Sequence, residues 1–206
     1  MSRRVRWVAI DGDDRTEDAT VAIGPDGLRA TGVQLGGDPP LPYRLRYTLH
    51  TDEVFRTRLL DVRAEGDGWA RTLHLTADGA GSWGCGTTAE GDAGLPPPGC
   101  DPAILAGALD CDLAFSPLTN FMPVRRTGLA ERPGTADFLM AWVTVPSLQV
   151  LASAQRYEHV RAGPGGAVVR YVDRGLFPGF TAELELDPDG LVVVYPGLAR
   201  AAEPRA

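Results

Sequence analysis

A chain of 206 residues with a formal charge of −7 is long enough to bury its own core. It is too acidic to present the basic footprint that nucleic acid or an anionic membrane requires, so nucleic acid is excluded as the main partner. The cationic side chains are all arginine, and with 25 glycines and 17 prolines this bias is read as genome composition, not function.

The N-terminal run Ser2-Arg-Arg-Val-Arg-Trp-Val-Ala-Ile10 is basic, but its apolar stretch ends within a few residues. No signal-peptide core or membrane span is expected, and the expected location is the cytoplasm. Alternation of apolar and polar residues, the mark of half-buried antiparallel strands, dominates from here on. Strands are expected at 4–10, 19–23, 28–35 and 43–49. In the last of these Tyr43, Leu45, Tyr47 and Leu49 share one face, and Arg44, Arg46 and Thr48 the other. Further strands are expected at 54–63 and 69–77. Turns at Pro25-Asp-Gly27, Gly66-Asp-Gly68 and Asp78-Gly79 carry the residues that tight hairpins need.

Residues 89–100, ending Leu-Pro-Pro-Pro-Gly-Cys100, read as a loop. The stretch 101–109 invites a short helix with Asp101 as N-cap and Pro102 at its first position, though it equally suits the approach to a strand. Downstream, strands are expected at 137–145, 148–153, 167–173, 182–187 and 191–195, with turns at Gly163–Gly166 and Asp187–Gly190. The whole reads as one all-β domain over 1–200, followed by a disordered tail at 201–206.

Cys85, Cys100 and Cys111 form no disulfide framework by spacing, and His50, His74 and His159 are too scattered for a zinc site, so no metal and no cofactor are expected. Ala80-Gly-Ser-Trp-Gly84 comes close to a nucleophile elbow, but it lacks the strand-to-helix setting that such a serine needs. Gly163–Gly166 lacks the lysine and helix of a phosphate loop.

The most informative segment is 109–126, Leu-Asp-Cys-Asp-Leu-Ala-Phe-Ser-Pro-Leu-Thr-Asn-Phe-Met-Pro-Val-Arg-Arg. Its two prolines six residues apart suggest a stiff, extended segment. Asp110 and Asp112 would point the same way on a strand and could meet an arginine on a neighbouring element. With Arg125 and Arg126 they form either a polar clamp for a sugar or phosphate head group or a structural ion-pair network. Adjacent arginines on a strand would face opposite sides. Asn120 either bonds its own turn or faces a ligand.

These residues resemble the signature of the putative glycolipid-binding family of bacterial proteins. Further matches follow in order: Val145-Pro146-Ser-Leu-Gln-Val150, Gln155-Arg-Tyr157, Arg170-Tyr171-Val, Phe180–Asp187 and Gly190–Tyr195-Pro196. Trp7, Tyr43 and the Asp78–Trp83 turn fit upstream. Ser116 stands where the family usually has Thr, and the proline-rich 91–100 stretch is less typical. The resemblance implies a single-domain antiparallel spiral β-roll, half-barrel-like, with many short strands and little helix. It implies no catalytic residue. Candidate ligand contacts are Trp83, Asp112, Asn120, Arg125, Arg126, Gln155, Tyr157, Tyr171 and Phe180. Gln155 and Tyr157 would share a strand face, as a polar rim or as cross-strand packing. The expected function is non-enzymatic binding of a glycolipid or similar amphiphile in a cavity of the roll. The alternative is a cytoplasmic protein-interaction module with a filled core.

Overall fold

A computed structural model describes residues 2–10, 12, 14–37 and 41–202. Among them fourteen strands form one sheet. The first seven are β1 (Ser2–Ala9), β2 (Thr16–Gly24), β3 (Gly27–Gly36), β4 (Tyr43–Thr51), β5 (Thr57–Gly66), β6 (Trp69–Ala77) and β7 (Trp83–Glu90). The second seven are β8 (Asp110–Leu113), β9 (Thr135–Val143), β10 (Val150–Gly163), β11 (Gly166–Asp173), β12 (Thr181–Leu186), β13 (Val192–Tyr195) and β14 (Ala199–Ala202). Strands β1–β7 form one meander and β9–β14 another, and the two are joined where β1 pairs antiparallel with β14. The resulting order is β7-β6-β5-β4-β3-β2-β1-β14-β13-β12-β11-β10-β9-β8. All neighbours are antiparallel except β8 and β9, whose parallel pairing follows from the helical crossover between them.

The expected turns are where they should be. Gly27 between β2 and β3 has φ +96°, and its position faces the Asp52 carbonyl so closely that a Cβ has no room. The strand expected at 4–10 lies mid-sheet, paired on both sides, so the exposed edge is β7.

The sheet is open and coiled on itself. In the parallel register Asp110 faces Met140 and Asp112 faces Trp142, on the side shared with Gln155 and Tyr157. Cys111, Leu113, Ala141 and Val143 point the other way. They pack into one core with Leu45, Leu60, Leu73 and Leu75, which line the inner face of β4–β6. Strand β8 and the part of β9 that pairs with it, Met140–Val143, are thus covered on both faces, with the outer wall of the roll wrapped around them. Backbone contact across the layers confirms the winding: Thr57 N–H donates to the Leu109 carbonyl (3.0 Å) and Cys111 N–H to Thr57 Oγ1 (3.0 Å). A second core, with Leu184, Leu186, Val169, Tyr157 and Val124, fills the β10–β13 half.

Three expectations are corrected. The segment after β8 is not extended: a 3-10 turn (Pro117–Asn120) runs into α1 (Phe121–Thr127), closed by Gly128 at φ +70°. Pro117 opens the turn and Pro123 lies in the first turn of α1, where a missing N–H costs nothing. Arg125 and Arg126 therefore diverge around a helix rather than across a strand, and both sit at its C-terminal end, where cations suit the dipole. Second, the predicted tail is partly ordered, because Ala201 and Ala202 pair with Trp7 and Arg6; 203–206 lie outside the described residues. Third, the short helix at 101–109 is only a 3-10 turn, Pro102–Leu105, with Asp101 Oδ1 accepting from Ala103 N–H (3.0 Å) as expected. No helix among the described residues is long and apolar enough to cross a membrane.

Candidate functional site

The axis of the roll is filled. Leu118, Phe121, Met122 and Val124 are each no more than 1% exposed, so the Pro117–Thr127 segment occupies the space a carrier would leave for its cargo. The polar side chains around it bond to one another. Asp112 accepts from Gln155 Nε2 (2.7 Å) and from the Thr119 hydroxyl (2.9 Å). The Tyr157 hydroxyl donates to Asn120 Oδ1 (2.8 Å), while Asn120 Nδ2 reaches the Pro117 carbonyl (3.4 Å). Asn120 thus serves both its own turn and its neighbour. Further along the axis the Tyr47 and Ser116 hydroxyls donate to Glu17 Oε1 (2.5 and 2.7 Å).

Burial sets the charge states of this spine. It raises the Asp112 carboxyl, against the hydrogen bonds from Gln155 and Thr119 that favour the anion. It pushes Glu17 up to about 7, opposed by Tyr47, Ser116 and Gln34. Asp110 is likewise raised by burial, while the Arg126 guanidinium that grips both its oxygens pulls the other way.

Of the residues singled out in the sequence, the fold gathers Asp112, Asn120, Gln155 and Tyr157 into this network. Tyr171 stacks edge-on against Tyr157, with Phe180 edge-on beyond it and 43% exposed. Arg126 is bound to Asp110. Arg125 is apart, at the surface beside Glu131 and over the Phe55 ring. Trp83 is also apart, on the edge strand with its indole N–H on the Ala108 carbonyl (2.9 Å). Ser82 occupies the β6–β7 hairpin, its backbone N–H on Asp78 Oδ1 (3.0 Å), and His159 lies on β10 with Nδ1 against the Leu129 carbonyl (2.8 Å).

A large concavity lies elsewhere, on the outer face of β1–β4. It is a groove of about 870 Å³. One cross-strand row on its floor is Arg6–Asp18–Val33–Arg46, and the next is Arg4–Thr20–Thr31–Thr48. Arg6 lies flat and buried, its Nη1 spanning both Asp18 oxygens (2.9 and 2.7 Å). Arg46 donates to Glu65 (2.6 Å), and Arg4 has no ion-pair partner among the described residues. Thr16 and the exposed Leu35 close one end. These residues were missed because their only sequence signal is the outward half of the strand alternation, as in Arg44, Arg46 and Thr48. That signal looks the same on a flat, solvated face.

Fold and surface together define a coiled, single-sheet β-roll with a packed axis and a polar outer groove. Residues 4–201 match the model of the family described as putative glycolipid-binding, so the chain belongs to that family. A crystal structure of a DUF1089 family protein from Pseudomonas aeruginosa superposes with a TM-score of 0.70 at 30% identity, covering 89% of this chain and 91% of that one. No curated protein matches the chain.

Proposed function

We propose that this protein binds an amphiphile with a hydroxylated head group, in keeping with its family's name, and does so without chemical turnover. The head group would lie in the groove across β1–β4. The observation that carries this reading is the lining of that groove. Sugar hydroxyls both donate and accept, and four threonine hydroxyls offer both roles within 870 Å³, with the exposed Arg46 guanidinium as a further donor and the Asp18 lone pairs that Arg6 leaves free as further acceptors. Arg4 supplies an uncommitted cation for a charged substituent, and Leu35 an apolar exit for the chain. Absence of turnover is supported by the setting of Ser82, which lies in the β6–β7 hairpin closed by Asp78 and not on the strand-to-helix turn that a serine nucleophile needs.

The test is native mass spectrometry of the protein purified from its own host, followed by lipid extraction, for the wild type and for the Thr31→Val/Arg46→Ala double variant. A discrete amphiphile on the wild type that is missing from the double variant is the expected result. An empty wild type that also gains no thermal stability from a panel of glycolipids would discard the proposal. That outcome would favour the second reading, an interaction module, which draws on the filled axis of the roll.

A further inference from the structure

The two half-buried thiols that play no part in either polar region are brought together by the winding of the chain. Cys85 lies on β7, in register with Leu75 and turned toward the core. The chain leaves β7 after Glu90, runs through the proline-rich loop and returns at Gly99. There it forms a parallel bridge with Gln149: Gly99 N–H donates to the Leu148 carbonyl (2.8 Å), and Val150 N–H to the Gly99 carbonyl (3.1 Å). The return passes directly against Cys85, since a Cβ built on Gly99 would stand 3.0 Å from Cys85 Sγ. The next residue, Cys100, packs against the same core as Cys85 and lies near enough for the two thiols to influence each other. Arg71 holds the loop in place by donating to the carbonyls of Leu95 (3.0 Å), Pro96 and Ser147 (3.0 Å). Cys111, by contrast, is fully buried against the Thr57 hydroxyl (3.5 Å).

We propose that Cys85 and Cys100 form a reversible disulfide that fastens the open edge strand of the sheet to the segment entering the roll. This inference is independent of the proposed function. The oxidant class is a low-molecular-weight disulfide. The Cys85 thiolate attacks one of its sulfurs, releasing one small thiol and leaving a mixed disulfide on Cys85. The Cys100 thiolate then attacks the Cys85 sulfur and releases the second small thiol. Two protein thiols lose two protons and two electrons, and the small disulfide is reduced to two thiols. Burial and the neighbouring Cys85 push the Cys100 thiol up to about 12, so the thiolate that closes the ring becomes more available as pH rises. The product ties β7, whose other side has no strand partner, to the Gly99–Gln149 bridge and closes the loop between them.

The full-length protein is incubated with oxidised glutathione over a range of pH, and free thiols are counted alongside intact mass. No lysine or arginine lies between Arg71 and Arg125, so trypsin leaves all three cysteines in one peptide. A protease that cuts on the amino side of aspartate separates them, cleaving before Asp92 and again before Asp101. The expected result is a fall from three thiols to one, a mass lower by two hydrogens, and linked peptides that carry Cys85 and Cys100. Closure should quicken with pH, and the thermal transition should rise. Cys100→Ser should trap the mixed disulfide on Cys85, and Cys111→Ala should behave as wild type. Three retained thiols, stable glutathione adducts on the wild type, or a link to Cys111 would each overturn the proposal. So would a Cys85–Cys100 link that forms as readily in urea as in the native protein, because the fold would then contribute nothing.

Discussion

The spine on the roll's axis and the groove on its outer face use the same chemistry, carboxylates, arginines and hydroxyls, yet they differ in what is left over. In the spine, each Asp112 oxygen is held, by Gln155 or Thr119, and Asn120 bonds Tyr157 and its own turn, which leaves Glu17 Oε2 and Gln34 Oε1 as buried atoms with no partner among the described residues. In the groove, Arg6 and Asp18 satisfy each other, while Arg4 and the threonine hydroxyls of β2–β4 face open space. Buried polar groups must be satisfied internally or they destabilise the fold. A polar cluster legible in sequence is therefore, when it ends up buried, the least available to a ligand.

Substitutions separate the two regions most sharply at Asp110–Arg126, where the carboxyl is 1% exposed. Arg126→Met leaves that carboxylate without its cation and should cost about 3–5 kcal/mol in urea unfolding. Asp110→Asn in the same background should recover part of the loss, and no recovery would mean that the pair is not the source of the stability.

A slightly smaller effect comes from pH. Folded Glu17 keeps its proton up to about 7, whereas the unfolded chain releases it near 4.5. The folded state therefore binds more protons between these values. The contribution is fully present below about 4.5 and is lost as pH rises through 7, about 3 kcal/mol in all. Asp112, also raised by burial, acts in the same direction. Asp52 opposes it: burial raises its carboxyl, but the backbone and guanidinium of Arg56 bring it below the usual range, so its contribution is lost in acid. Glu17→Gln should flatten the fall in stability between pH 4.5 and 7, measured by denaturant titration at each pH. An unchanged slope would place the spine's charge states elsewhere.

The smallest effect on stability belongs to the groove. Thr31→Val/Arg46→Ala changes exposed groups and should move the unfolding free energy by no more than about 0.5 kcal/mol, even as it removes binding. A loss like that of the spine variants would mean that the groove is structural too, and the contrast between the regions would collapse.

Much of the architecture was legible in the sequence. Alternation located the strands from β1 to β6 and from β9 to β13, and the glycine-containing turns marked the hairpins between them. Strands β7 and β14 escaped notice. The first reads Trp-Gly-Cys-Gly-Thr-Thr-Ala-Glu, with little apolar alternation at an exposed edge, and the second is four residues long. Asp112, Asn120, Gln155 and Tyr157 were each legible as polar candidates, and Gln155 with Tyr157 as a pair on one strand face, but that all four meet in one network was not, because the contacts join residues far apart in sequence.

The local chemistry of the chain, then, determined an all-β antiparallel domain and its family, since turn residues and period-two patterning act over a few neighbours. Only the tertiary structure decided that β1 meets β14, that the sheet winds inward until β8 and the paired end of β9 are covered on both faces, and that Pro117–Thr127 fills the axis as helix. These outcomes depend on sheet twist and on contacts between residues far apart in sequence, such as Thr57 with Cys111 and Gln34 with the Ala114 carbonyl. The same curvature turned an ordinary outward face of β1–β4 into a groove, and no pattern along the strands distinguishes a concave face from a flat one.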